Sequence, residues 1–518
     1  MKNKAFLKGA ILLIICNLIG KVFGAVYRIP LAKILGPVGM GMYQLVFPIY
    51  CLILTISTSG MPVAISKLVA ENNSRHNYSS SKKIFKISIL FLTLASFLGA
   101  VIVIFSAKLI SNIQGNESIF ICYYGIAPAI LFVGVLSAFR GYFQGNLLMF
   151  PTAISSLVEN IIKMVMGLML AGRFLEFGIE YAVLGALLGV SASEFVASLF
   201  LWVCYLFFKG RRLNNKFQNN ESFKYLSKQI MNLAVPVTLG SLIAPLTSMV
   251  DSLLAINLLM VTGFSSKNAT TLLGLQSGVV EPLINIPVII AVSISMVILP
   301  NISKFNAEND KEKIKNYAEK SMQLALCISV ACAICFVIFG KQILNFLYGS
   351  TFDNDELLIA TKLLFFGSFN IVFLSLVQVT ASILQGLGKI KIPVKSLLVG
   401  CVIKIVFDLA FIPVRKINIF GAIISGAACY LTVFILNYKK VKEYTGLEFK
   451  NSMFYISIQE CFICLFAFVS KFLCSLIMSE FASMLFAGTI AIAVFMITYY
   501  AFFMYDKTGY NFKEKTFK

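Results

Sequence analysis

Asn17, Lys21, Gly24 and Arg28 recur at i, i+4, i+7 and i+11 inside an otherwise apolar run. On a helix that spacing puts all four on one face. Ser155, Glu159 and Lys163 follow in successive i+4 steps, as do Gly400, Lys404 and Asp408. Three more carboxylates sit in apolar surroundings. Asp251 ends a small polar face begun by Ser241, Ala244 and Ser248 after Pro236, Glu281 stands beside Pro282, and Glu194 lies further back in the chain.

An ionisable group at the centre of a bilayer costs roughly 2.5–3.5 kcal/mol on insertion scales, so such residues serve a pathway or a partner. The first stripe reads as a cationic lining for a cavity that receives an anion; alternatively, Arg28 snorkels to the interface. Gly20 and Gly24 form a GxxxG at which a neighbouring backbone could approach. Glu159 with Lys163, and Lys404 with Asp408, are either self-neutralised pairs or pairs that open to offer a lysine to substrate. Asp251 and Glu281 suit binding of Na⁺ or a proton, or pairing with Lys21 or Arg28.

Hydrolytic and redox chemistry find less support. His76 is the only histidine and lies in a polar loop, which removes His-based triads and His-rich metal sites. The CxxC pairs Cys332/Cys335 and Cys461/Cys464 fall in apolar segments and read as packing residues. No GxxxxGK[ST] phosphate loop occurs. No cofactor or metal is expected; Na⁺, H⁺ and the membrane potential are the candidate driving forces.

The elements that must position these residues are membrane spans. The chain is 58% hydrophobic and 13% charged, against about 25% charged in soluble domains. The start, MKNKAFLKGAILLIICNLIG, has the lysines and apolar run of a signal peptide. It continues through Lys21 and Arg28 without a cleavage motif, so an uncleaved first span is expected. About fourteen stretches reach the ~20 apolar residues that a spanning helix needs. They lie near 9–31, 42–69, 84–106, 118–140, 151–172, 182–208, 230–259, 272–300, 320–340, 357–384, 392–413, 418–437, 454–477 and 481–505. With the N-terminus in the cytoplasm, roughly 31 of the 44 basic residues flank the cytoplasmic side. Both termini are then cytoplasmic, and the net charge of +21 reflects this loop bias rather than nucleic-acid binding.

Two echoes divide the chain. ISKLVAEN (65–72) returns as ISKFNAEN (302–309), each closing an even-numbered span before a lysine cluster. YFQGNLLMFP (142–151) returns as ILQGLGKIKIP (383–393), with Lys163 falling on Lys404 at the same offset of 241. The expected fold is all-α: two parallel six-helix lobes, 1–215 and 222–440, around a central cavity, followed by two extra helices and a basic tail over 450–518. Repeats of this kind recur in transporters that rock around a central site.

The runs GKVFGAVYRIPLAKILGPVGMGMYQLVFPIY, TSGMPVAISKLVAEN and FRGYFQGNLLMFPTAISSLVENIIK closely resemble the stage V sporulation protein B family. That family is a polysaccharide-biosynthesis branch of the multidrug/oligosaccharidyl-lipid/polysaccharide exporter superfamily. The resemblance covers essentially the whole chain. It implies a cytoplasmic-membrane flippase for undecaprenyl-diphosphate-linked sugars, most plausibly lipid II for spore cortex peptidoglycan. Membrane lipids and cell-wall synthesis proteins are the implied partners. More distant lipid II flippases use basic residues of the first helix in the cavity, places that Lys21 and Arg28 occupy here. Those relatives also carry an acid early in the second helix and an arginine further along. This chain has Met42-Tyr43 and TISTS (55–59) there. The two last helices would supply a groove for the lipid tail.

Three other functions remain open. An exporter of another lipid-linked polysaccharide unit or of cationic drugs would share the fold, and the drug exporter would want an acidic cavity. A membrane glycosyltransferase would need a sizeable outward loop with catalytic carboxylates, whereas LNFLYGSTFDNDEL (344–357) is short. A scaffold without transport is the third.

Overall fold

The computed structural model describes residues 2–58, 60–209 and 222–447, with short pieces between 464 and 494. Its helices are α1 (Lys2–Thr58), α2 (Gly60–Ser74), α3 (Tyr78–Ile113), α4 (Phe120–Gly145), α5 (Met149–Phe174), α6 (Ile179–Lys209) and α7 (Phe223–Ser241). There follow α8 (Ile243–Val261), α9 (Ser266–Leu273), α10 (Glu281–Ala307), α11 (Lys311–Tyr348), α12 (Asn354–Gly386), α13 (Lys391–Phe411) and α14 (Phe420–Thr445). No strand occurs among the described residues. Nine helices among them are long and apolar enough to cross a membrane. The spans expected at 454–477 and 481–505 lie almost wholly outside the described residues.

Burial on α3 runs opposite to that of a water-soluble helix. Ser88, Ser96 and Ala100 face protein, while Leu94, Leu98, Ile102 and Phe105 are exposed, Phe105 by 85%. Small residues let helices approach, and apolar bulk meets lipid. This is a multi-pass membrane protein.

The first two expected spans are both within α1 and α2. Gly36 holds φ 62°, ψ 179° inside α1, a conformation essentially restricted to glycine. On a straight helix Arg28 and Phe47 would be about 28 Å apart. The Arg28 guanidinium instead lies 6.0 Å from the Phe47 ring, so the chain doubles back at Gly36. Another expected span, 230–259, is interrupted at Leu242 between α7 and α8. Pro245 has no N–H to give the Ser241 carbonyl, which breaks the ladder there. The expected helix at 272–300 is longer and irregular: a π-helical segment, Gly274–Val280, joins α9 to α10.

Contacts divide the chain into one unit of Met1–Leu283 with Cys401–Ser425, and another of Ile284–Gly400 with Gly426–Lys518. Within the first unit α1 packs on α8, α9 and the π segment, and α2 packs on α7.

The sequence echoes have a packing cause that recurs inside each unit. In the first, a Cβ on Gly145 would stand 2.7 Å from the Ser66 carbonyl oxygen. In the second, a Cβ on Gly386 would stand 2.8 Å from Ile302 Cβ, and Ser303 Oγ donates to the Gly386 carbonyl at 3.2 Å. The QG phrase thus lies on the ISK phrase in both, with Ile65 and Ile302 fully buried. The turns after the two glycines also match, because Leu147 (φ 60°) and Gly388 (φ 76°) hold the same left-handed position. A leucine there costs about 1–2 kcal/mol that glycine escapes. Leu147 is exposed, so Leu147→Gly is expected to raise the thermal midpoint in detergent. A lowered midpoint would mean that the leucine side chain contributes more than its backbone strain costs.

Candidate functional site

In the first unit, α4, α5 and α6 bring four ionisable groups together. Glu159 Oε2 accepts from Arg140 Nη2 at 2.9 Å, and Oε1 accepts from Lys163 Nζ at 3.2 Å. Arg140 Nε also donates to Ser155 Oγ at 3.2 Å. Glu194 is buried beside this group, with the Tyr50 hydroxyl as side-chain partner and Oε2 without one. The i+4 step on α5 places Glu159 beneath Lys163, and α4 supplies the second base.

The other group joins α8, α13 and the start of α14. Lys404 Nζ bonds both the Asp251 carboxylate and Asp408 Oδ2, the latter at 3.1 Å. Ser425 Oγ donates to the other oxygen of Asp408. Asp408 is almost fully buried, with 3% of its surface exposed. Glu281, just after the π segment, accepts from Gln276 Nε2 at 2.9 Å. The residue is exposed to solvent.

Arg28 is half-buried and, among the described residues, forms no ion pair. Gly24, on the same helix face, has nothing within 4 Å of a built Cβ. That face lies opposite the exposed stripe of Ile15, Ile19, Val22 and Val26. Only half of the expected GxxxG approach occurs: Gly20 packs against Asn160 of α5, and Gly24 meets open space. Asn17 and Lys21 are helical, but their side chains fall outside the described set.

The nominated residues therefore separate into engaged and available groups. Lys163 and Lys404 are held by carboxylates, and Asp251 and Asp408 share Lys404 rather than pairing with the first helix. Arg28 and Glu281 remain without an ion-pair partner among the described residues. In these groups four bases (Arg28, Arg140, Lys163, Lys404) and four acids (Glu159, Glu194, Asp251, Asp408) are at least partly buried, and Glu281 is exposed. Sequence reasoning did not nominate Arg140, which fell at the edge of an expected span ending at 140. The helix in fact continues to Gly145. Among the described residues no three His, Cys, Asp or Glu side chains gather as a metal site.

Comparison with known proteins fits this arrangement of buried charges. The profile of the family described as polysaccharide biosynthesis protein matches residues 6–306. The chain belongs to that family. A second profile, MatE, matches residues 236–410. Membership covers the hairpin at Gly36, the Arg140–Glu159–Lys163 group and the ISK helix ends.

Among relatives of this polysaccharide biosynthesis protein, Stage V sporulation protein B of Bacillus subtilis (strain 168) is 27% identical over 90% of the chain and 89% of the relative. Lipid II flippase MurJ of the same organism is 27% identical over 86% and 84%. A solved structure, Lipid II flippase MurJ in an inward closed conformation, superposes with a TM-score of 0.73 at 17% identity. It covers 95% of this chain and 99% of that one, so the fold is shared.

Proposed function

We propose that this chain is a flippase. It moves an undecaprenyl-diphosphate-linked saccharide, lipid II for the spore cortex, outward across the cytoplasmic membrane, with both termini in the cytoplasm. The observation that carries this function is the near full-length likeness to two Bacillus subtilis relatives, one named for sporulation and one for lipid II flipping. The site chemistry supports it. A diphosphate and sugar cannot cross hydrocarbon unaided, and Arg28 forms no carboxylate ion pair among the described residues. An inside-negative potential favours outward movement of an anion by about 2.3 kcal/mol per charge per 100 mV. Lys21, on the same helix face, is assigned to the diphosphate with Arg28, and Glu281 to the hydroxyl groups of the sugar.

The test is reconstitution into vesicles with fluorescent lipid II and competing prenyl-diphosphate sugars. Lipid II should flip at a rate that rises with an inside-negative potential. Equal flipping of all the sugars would remove the lipid II assignment, and no flipping of any would remove the function. Arg28→Ala should lower the rate at least tenfold, a loss of about 1.4 kcal/mol, while leaving the detergent thermal midpoint near wild type. A large fall in midpoint would make Arg28 a structural residue.

A second function is favoured by one observation. The MatE profile spans Asp251, Glu281, Lys404 and Asp408, three acids to one base. Extrusion of an organic cation would follow from that balance. Vesicles loaded with a fluorescent cationic dye, assayed beside the lipid, distinguish the two.

A further inference from the structure

Two carboxylates at the meeting of α8 and α13 require a cation, and the chain supplies it. Asp251 on α8 and Asp408 on α13 approach from two helices, and Lys404 Nζ bonds to both. Ser425 on α14 takes the remaining Asp408 oxygen. The lysine side chain is 12% exposed and that of Asp408 is 4% exposed.

We propose that Lys404 is a tethered substitute for a monovalent metal cation. The protein then works with no Na⁺ bound between α8, α13 and α14, and it acquires a Na⁺ site when the ammonium is removed. The physical reason is occupancy. The Asp251 side chain is 36% exposed, but two like charges converging this closely still repel unless a positive charge stands between them. An ammonium on a flexible four-carbon stem is a compact point charge with three donors, which lets it take that position. Without it, two carboxylates and a serine hydroxyl form an oxygen-only set of the kind that binds hard cations. Lysine is covalently held, so its cation is never released to either side of the membrane. A Na⁺ gradient therefore has nothing to drive at this point, which leaves protons and the potential acting on the substrate's own charge as driving forces.

The consequence for transport rests on the flippase function proposed above; the binding experiment does not. The purified full-length chain is heated in NaCl and in equimolar choline chloride, as wild type, Lys404→Asn, and Lys404→Asn with Asp251→Asn. Wild type should melt at one temperature in both salts. Lys404→Asn should melt lower in choline and recover saturably with Na⁺, and the double variant should lose that recovery. Two results overturn the proposal. One is saturable, Na⁺-specific stabilisation of wild type that Asp251→Asn abolishes. The other is a folded Lys404→Asn with no Na⁺ response. Should Lys404→Asn fail to fold, the wild-type titration with and without Asp251→Asn decides by itself. In vesicles, wild-type flipping should proceed equally in Na⁺ and choline. Failure to flip any prenyl lipid would remove the transport function and leave the salt titration standing.

Discussion

Glu159→Gln is expected to abolish stable accumulation of the protein in the membrane. One carboxylate there serves two bases, Arg140 at 2.9 Å and Lys163 at 3.2 Å, and all three side chains are at least three-quarters buried. Breaking a buried ion pair by removing one partner costs about 3–5 kcal/mol, because the other charge is left uncompensated. Here two charges would be left. Glu194 is close, but its described partner is Tyr50, and it lies on a different helix from Glu159. The comparison variants make the cause visible. Lys163→Met keeps the Arg140–Glu159 pair and should be mild, while Glu159→Gln combined with Arg140→Leu should recover part of the loss. Yield after detergent extraction and the thermal midpoint are the measurements. A Glu159→Gln protein as abundant and stable as wild type would mean that Arg140 and Lys163 are compensated by something other than Glu159.

Sequence spacing revealed these groups unevenly, and the reason is distance along the chain. Glu159 with Lys163, and Lys404 with Asp408, are i, i+4 neighbours, so helical periodicity alone joins them. Arg140 is 19 residues from Glu159, and Asp251 is 153 from Lys404, so no period links either pair. Asp251 was expected to be protonated, ion-bound or bridged to a base. The third option is the observed one, and the base comes from α13 rather than from the first helix. The even spans and their glycine punctuation were readable because QG and ISK are short local phrases. Their mutual packing was not, since it depends on a helix crossing. The π segment and the reversal at Gly36 are backbone events. Only ILGPVG, with its Gly-Pro step, hinted at the latter.

A disulfide between Asn116→Cys and Thr270→Cys is expected to stop transport, and reduction to restore it. The short connection after α3 is tied to the α8–α9 hairpin by side-chain bonds rather than by apolar packing alone. Asn116 Nδ2 donates to Thr270 Oγ1 at 3.1 Å, Ser266 Oγ to the Gly115 carbonyl at 2.6 Å, and Asn257 Nδ2 to the Ile113 carbonyl at 2.6 Å. Gln114 extends the set, donating to the Leu45 carbonyl at 2.8 Å and accepting from Tyr123 at 2.7 Å. Each such bond contributes only about 0.5–1.5 kcal/mol net, so the set can hold a conformation closed and still release it. In the proposed transport cycle, helices α3 and α4 part from α8 and α9. A covalent bond in place of the Asn116–Thr270 contact would forbid that step without changing the charged groups. Oxidised wild type is the control for the native cysteines. A protease site placed between residues 210 and 221 lets gel mobility report whether the two halves are joined. Oxidised, cross-linked protein that flips lipid at the wild-type rate would show that the connection after α3 and the α8–α9 hairpin move as one body. The parting would then have to occur elsewhere in the fold.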